Sequence, residues 1–164
     1  MRRLCENGLE SGLRRFVEKE RPLLGICLGM QLLMTESQEF GLHRGLDILK
    51  GTVRRFREPL AGEVAFKIPH IGWSTAERVT EGGTKESNGP AALFQGIPVG
   101  TFFYFVHSFF CVPEDPQAIF SRTDYGRDRF CSVVNRHSVW GCQFHPEKSG
   151  PDGMQLYHNF LFNL

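Results

Sequence analysis

A chain of 164 residues with 41% apolar side chains has the length of one domain, roughly 100 to 200 residues, and enough apolar content for one core. Its 19 basic and 18 acidic side chains leave a net charge of +1, which argues against nucleic acid or an anionic membrane as partner and for a small-molecule substrate. The five cysteines are odd in number, never spaced as C-x-x-C and mostly set in apolar sequence, so neither a disulfide framework nor a zinc site is expected.

Arg2 and Arg3 precede no continuous apolar stretch and acidic residues follow at Glu6, Glu10 and Glu18, a pattern unlike a secretory signal, so a cytoplasmic location is expected. Leu9, Leu13, Phe16 and Val17 recur at helical spacing, with Arg14, Glu18 and Lys19 on the other face, and predict an amphipathic helix over 8–20. Arg21-Pro22 stops it. Residues 23–26 are apolar on both faces, as in a central parallel strand covered by helices, and Cys27 stands at that strand's C-terminal end. Good helix formers fill 28–34. The order helix, strand, sharp turn, helix is the grammar of an α/β protein built on a mostly parallel sheet flanked by helices.

Further along, 52–56, 64–68, 73–79 and 101–106 read as strands between Gly and Pro punctuation. Arg54, Arg55 and Arg57 form a short basic cluster, either a solvated face or a contact for a phosphate or a partner. Residues 81–90 are polar and rich in Gly, a surface loop. The apolar run 101–106, continued by 109–112, is broken by His107 and Ser108 and falls short of the roughly 20 residues of a membrane helix, so it is a buried strand. Strands are expected again at 129–135 and 139–144. A closing helix over 152–161 has Asp152 as N-cap and Met154, Leu156, Tyr157, Phe160 and Leu161 as its inward stripe.

Gly25-Ile26-Cys27-Leu28-Gly29 has the form G-x-C-x-G, the cysteine version of a nucleophile elbow, between a strand and a helix as that motif requires. Glycines on both sides let the two elements approach while the thiol projects from strained backbone. The following helix's positive end favours a thiolate, and the Leu28 N–H points where an oxyanion would form. A buried, inert cysteine is the competing reading. A nucleophilic Cys needs a base, and spacing separates the six histidines. Only His145 follows directly on an apolar strand end, precedes a strand-ending Pro146 and has a carboxylate two residues on, Glu147. Positions i and i+2 of extended chain share a face, so Glu147 can orient the imidazole. His43 and His158 read as surface or core residues and His137 as part of a turn.

GICLGMQLL (25–33) together with QFHPEKS (143–149) resembles the class I, or triad, glutamine amidotransferases. Within them, GLDILKGTVRRF, KIPHIGWS, FFYFVHSF and the terminal MQLYHNFLFNL look like the glutaminase subunit of imidazole glycerol phosphate synthase. The resemblance covers nearly the whole chain and is weakest over 77–92. It implies the fold of that family, Cys27 as nucleophile, His145 as acid and base, and Glu147 as the orienting carboxylate. It also implies Gln31 as a contact to L-glutamine, the main chain around His107, Ser108 and Phe109 as the holder of the α-carboxylate, and Glu39 as the partner of the ammonium. Phe109 stands where the family often has Tyr. Pro69, His70, Gly72, Trp73 and Lys148 match positions facing the partner, a (βα)8-barrel cyclase, and its ammonia passage; Ser74 replaces the usual Asn. No metal or organic cofactor is implied.

Family members begin with a strand, a helix and a glycine-containing loop that gives a second oxyanion N–H, and those would precede Met1. The expectation is therefore a single domain over 1–164 without that portion, with an elbow strand lacking neighbours on one side. A glutaminase serving GMP, CTP or anthranilate synthesis is the alternative of the same chemistry, disfavoured by KIPHIGWS and by Lys148-Ser149. An inactive fragment is the alternative of another class.

Overall fold

A computed structural model describes residues 1–62, 65–79 and 92–164. In chain order it forms α1 (Arg2–Glu6), α2 (Leu9–Glu18), β1 (Leu23–Ile26), α3 (Leu28–Leu32), β2 (Glu36–Ser37), β3 (His43–Arg44), β4 (Gly51–Arg55), β5 (His70–Thr75), β6 (Glu77–Arg78), β7 (Phe102–His107), β8 (Phe109–Pro113), β9 (Ile119–Tyr125), β10 (Asp128–Arg136), β11 (Val139–Cys142) and α4 (Gly150–Phe162). Single 3-10 turns stand at Ala92–Phe94, Pro116–Ala118 and Pro146–Lys148.

The fold is of the expected α/β class, with a mixed sheet. Its main path runs β1-β11-β10-β8-β4-β2-β3, with β9 added to β10 and β6 to β9, while β5 and β7 pair as a separate ribbon. β1 with β11 and β2 with β4 run parallel; the other pairs are antiparallel. Connection length decides which: two residues, His137 and Ser138, join β10 to β11, and so short a link allows only an antiparallel return. Ser108 alone separates β7 from β8, and there the chain leaves the ribbon for the main sheet.

Side chains alternate across each strand, and this period of two sorts the core onto two faces. On one face Met30, Leu33 and Met34 pack with Val53, Cys111, Cys131, Val134 and Val139, covered by Leu13 and Val17 of α2. On the other, Phe110, Phe130, Val133, Trp140 and Cys142 meet Phe103, Phe105, Phe144 and Leu156, the last from α4. The covering of both faces is what makes the sequence of these strands so apolar.

Several boundaries differ from the sequence reading. Strand β1 pairs on one side only, and Leu23, Leu24 and Ile26 are half-buried, so within the described sheet it is an edge strand, as expected of an elbow strand lacking neighbours on one side, and not the central strand that its two apolar faces suggested. Residues 65–68 form no strand; Phe66 turns edge-on to Tyr125 and Pro69 has no N–H for a ladder. Residue 64 and the loop over 81–90 lie outside the described residues. Ala76 breaks the expected strand over 73–79, leaving β5 in the ribbon and β6 on β9. Strand β9 was not legible because its inward residues are Ser121 and Thr123, whose hydroxyls bond to Ser132 Oγ and Thr75 O; polar inward residues hide the apolar alternation. Helix α4 starts at Gly150, so Asp152 sits inside its first turn and Ser149 takes the cap position.

Candidate active site

The parallel pairing of β1 with β11 places Ile26 beside Cys142, and the Cys27 N–H continues the ladder to Cys142 O at 2.7 Å. Cys27 and Gln143 therefore emerge side by side from adjacent strand ends. The backbone of Cys27 has φ 49° and ψ −105°, a conformation that costs a non-glycine residue on the order of 1 to 3 kcal/mol. Only one of the two motif glycines is demanded by space. A Cβ at Gly25 would lie 2.7 Å from Gly29 C and 2.8 Å from Met30 N, whereas a Cβ at Gly29 would meet nothing within 4 Å. The close approach of β1 and α3 thus falls on Gly25, and the reading that both glycines serve it is corrected.

Burial pushes the Cys27 thiol above its ordinary pKa, against the pull of the Leu28 N–H and of the Gln143 amide, which reaches Sγ at 3.5 Å; the charges of Glu147 and Glu39 push it further up. Burial thus works against the thiolate expected from the helix end, and helix α3, at five residues, is short. A thiol at this place needs a base.

His145 is pinned by its main chain on both sides: its N–H donates to Tyr104 O at 2.9 Å, and Ser149 Oγ donates to its carbonyl at 2.7 Å. Its Nδ1 meets Glu147 Oε1 at 2.7 Å, which puts the Nδ1 proton on that bond and leaves Nε2 as the free base. Among the described residues Nε2 is a buried nitrogen with no hydrogen-bond partner. Partial burial pushes the Glu147 carboxyl up, but the His145 bond, its own main chain and Tyr157 together bring it below its ordinary value. Tyr157 points its hydroxyl at Glu147 Oε2 at 3.4 Å, and burial with that carboxylate raises the phenol to about 12.

Gln31, His107, Phe109 and His70 form one hydrogen-bonded floor. Gln31 donates to Phe109 O at 3.0 Å and to Gln143 Oε1 at 3.2 Å, so both its amide protons are engaged within the protein and its Oε1 is the atom left for a ligand. Ser108 O accepts the Phe56 N–H. His107 Nδ1 bonds Phe109 O at 2.8 Å, so its Nε2 is an acceptor, and it faces His70 Nδ1 at 3.3 Å; His70 Nε2 in turn accepts from Ser74 Oγ at 3.0 Å. Glu39 is half-buried and near enough to raise the Cys27 pKa. Gln143, Tyr157 and Ser149 were not singled out by the sequence reading. Gln143 and Ser149 flank the His145 motif, but Tyr157 sits in a helical stripe indistinguishable from core.

Burial lowers His70 from 6.5 to about 4 and His107 from 6.5 to about 3, and among the described residues no carboxylate bonds to either ring. An unfolded chain protonates both near 6.5 while the folded one keeps both neutral, so this stability is whole above pH 6.5 and is lost as pH falls towards 4. Each ring contributes a slope of up to about 1.4 kcal/mol per pH unit in that window. Thermal midpoints should therefore fall steadily between about pH 6.5 and 5, where carboxylates contribute little. A flat profile there would mean that the pair is not held neutral.

Of the residues expected to face a partner, Pro69 and Trp73 are exposed, Gly72 is half-exposed, and Lys148 is exposed with its Nζ 5.8 Å from the Tyr104 ring, against whose other neighbour, Trp73, that ring packs edge-on. Ile71 and Phe102 extend the exposed apolar surface of the ribbon. His70 is the exception. It is 2% exposed, stacked on Tyr125 and Phe105, and so belongs to the floor beneath the ribbon and not to its outer face; alternation along β5 turns it inward while Ile71 and Trp73 turn out.

The family model for glutamine amidotransferase class-I matches residues 6–164. The imidazole glycerol phosphate synthase subunit HisH of Syntrophotalea carbinolica is 45% identical over 162 residues, covering 98% of this chain and 73% of that one. The HisH proteins of Aquifex aeolicus and Chlorobaculum tepidum are 44% and 38% identical over 160 residues, covering 98% of this chain and 70% and 73% of theirs. Among solved structures, a putative GMP synthase component from Thermoplasma acidophilum has a TM-score of 0.57 at 15% identity, and a glutamine amidotransferase from Thermotoga maritima has 0.53 at 20%. The two alignments cover 93% and 92% of this chain and 62% and 51% of those chains, so it spans less than two thirds of either; at such identities the likeness shows the fold alone.

Proposed function

This chain belongs to the class-I glutamine amidotransferase family, and from that premise we propose that it is the glutaminase subunit of an imidazole glycerol phosphate synthase, working through Cys27, His145 and Glu147. The observation that carries the triad is the His145 imidazole, locked at Nδ1 by Glu147 and left with a buried Nε2 that has no hydrogen-bond partner among the described residues, on the segment that follows β11, the strand paired with β1. Burial keeps Cys27 a thiol, so His145 Nε2 takes its proton as sulfur attacks the side-chain amide carbon of glutamine. The Leu28 N–H faces the oxyanion that forms. The resulting imidazolium returns the proton to the departing ammonia, leaving a glutamyl thioester, which water activated by the same His145 hydrolyses to glutamate. Ammonia passes to a (βα)8-barrel cyclase in a cytoplasmic heterodimer, and no cofactor takes part.

Glu147 works by tautomer. Glu147→Gln removes the charge that holds the Nδ1 proton, and turnover should fall by roughly 10² to 10⁴ with KM for glutamine little changed. A KM effect alone would move Glu147 into substrate binding.

The partner is the part of the proposal that experiment decides most directly. Glutamate release should rise when the purified barrel cyclase of a related HisH organism is added, and a rise with the synthetase subunit of GMP synthesis instead would favour the alternative. Trp73→Ala and Lys148→Ala should each weaken that complex about tenfold or more, as exposed aromatic and cationic anchors do. Unchanged affinity with reduced glutamine hydrolysis would place Lys148 in the glutamine site.

A further inference from the structure

Strands β8 and β10 are in register at one residue pair only, Cys111 beside Cys131, and a cavity of about 610 Å³ lies there, lined from β4, β8, β9 and β10. Five arginines line it, Arg54, Arg55, Arg57, Arg122 and Arg129, against one acidic residue, Asp128. Register fixes their sides. Arg55 lies opposite Phe109, two residues from Cys111, while Cys131 lies opposite Arg122 and two residues from Arg129. Arg55, Arg122 and Arg129 therefore share the face that carries the two cysteines.

Three of the five have acidic partners: Arg57 bonds Asp128 at 2.7 Å, Arg129 lies 2.9 Å from Glu77 and 3.7 Å from Asp124, and Arg55 pairs with Glu58. Arg54 and Arg122 have neither an acidic nor a hydrogen-bonding partner among the described residues, and Arg122 is half-buried. Like charges gathered on a partly desolvated wall repel, and an oxyanion relieves them. The pairs that Arg55 and Arg129 make are exposed, and water and salt screen them, so both forks can turn to a ligand at little cost. The guanidinium fork matches two phosphate oxygens at once. The volume, about 610 Å³, exceeds that of a bare phosphate ion and leaves room for an organic body beside the arginines.

We propose that this cavity is a second ligand site, separate from the Cys27 centre, which takes a phosphate monoester of a small polar molecule, with Arg122 as the principal anion contact and Arg55 and Arg129 closing on the same group. It accounts for the basic cluster that glutamine hydrolysis leaves unused.

The test is titration of the full chain at low ionic strength with glycerol 1-phosphate, inorganic phosphate, glycerol and sodium chloride, read by calorimetry and by thermal midpoint. Saturable binding of glycerol 1-phosphate is expected, with glycerol inert. Tighter binding of the ester than of inorganic phosphate assigns an organic occupant; equal binding assigns free phosphate. Arg122→Gln should weaken either anion about tenfold or more while leaving the ligand-free thermal midpoint unchanged or raised, because it removes no partner. Should the first variant fail to fold, Arg129→Gln gives the same reading of affinity alone, since it also removes the pairs with Glu77 and Asp124. An equal shift from chloride at matched ionic strength, no saturable binding, or affinity unchanged in the variants would each overturn the proposal.

Discussion

Replacing Cys27 by Ala should lower glutamine turnover by roughly 10⁴ to 10⁶, and a glutamine-derived electrophile should label Cys27 alone among the five cysteines. The selectivity follows from surroundings. Cys111, Cys131 and Cys142 are buried, and burial raises all three thiols, Cys131 to about 12, so they are neither reachable nor ionised near neutral pH. Cys5 is exposed, but its hydrogen bond to the Glu10 carboxylate raises its thiol, and no base or oxyanion donor adjoins it among the described residues. The Cys27 thiol is raised too, yet it is half-exposed, receives the Leu28 N–H and stands beside Gln143. Peptide mass spectrometry reads the result. Label on Cys111, Cys131 or Cys142 with Cys27 untouched in folded protein would remove Cys27 from the mechanism.

The Gly153→Ala variant should be destabilised although it lies in a helix, where Ala is ordinarily favoured over Gly by about 1 kcal/mol. A Cβ at Gly153 would lie 2.0 Å from Pro146 O and 2.8 Å from Ser149 Cβ. That obstacle is backbone, in the turn that carries Glu147, and forcing it aside costs roughly 3 kcal/mol or more. The overlap wins. A net loss near ~2 kcal/mol lowers the thermal midpoint by about 4 to 8 °C for a chain of this size. Turnover should also fall at temperatures where the variant is folded, because α4 presses on the His145 to Ser149 segment and supplies Tyr157 to Glu147. A midpoint raised by a few degrees, as propensity alone implies, would show that the helix and turn can separate without strain.

The triad candidates were legible because their chemistry is written locally. Strand, G-x-C-x-G and helix formers lie close together in the chain, and His145-Pro146-Glu147 places base and orienter on one extended segment. Helix α2 and strands β4, β10 and β11 were legible within a few residues for the same reason, whereas the run over 101–112, read as one buried strand, is two strands, β7 in the ribbon and β8 in the main sheet. The buried histidine pair was not legible. His70 sits in the stretch that resembles a partner surface, and only the antiparallel register of β5 with β7, which sets His70 opposite His107, turns it inward. Strand β9 was hidden because Ser121 and Thr123 satisfy their hydroxyls on neighbouring strands, a compensation that requires knowing which strands are adjacent.

By itself the sequence determined the α/β class, the strand-Cys27-helix elbow, the His145-Pro146-Glu147 segment as a candidate, and the family, because each is written in short local motifs. Tertiary structure alone decided four further matters. The Cys27 thiol is pushed up by burial in the surrounding core against the pull of the Leu28 N–H and the Gln143 amide. Gly25 and not Gly29 permits the elbow, since only one of them faces the neighbouring backbone. Gln31 is tied to Gln143 across 112 positions of sequence, and the arginines of β4 and β9 meet over one cavity through the strands between them. Distances between segments far apart in the chain depend on which strands pair and in what register, and local sequence carries neither.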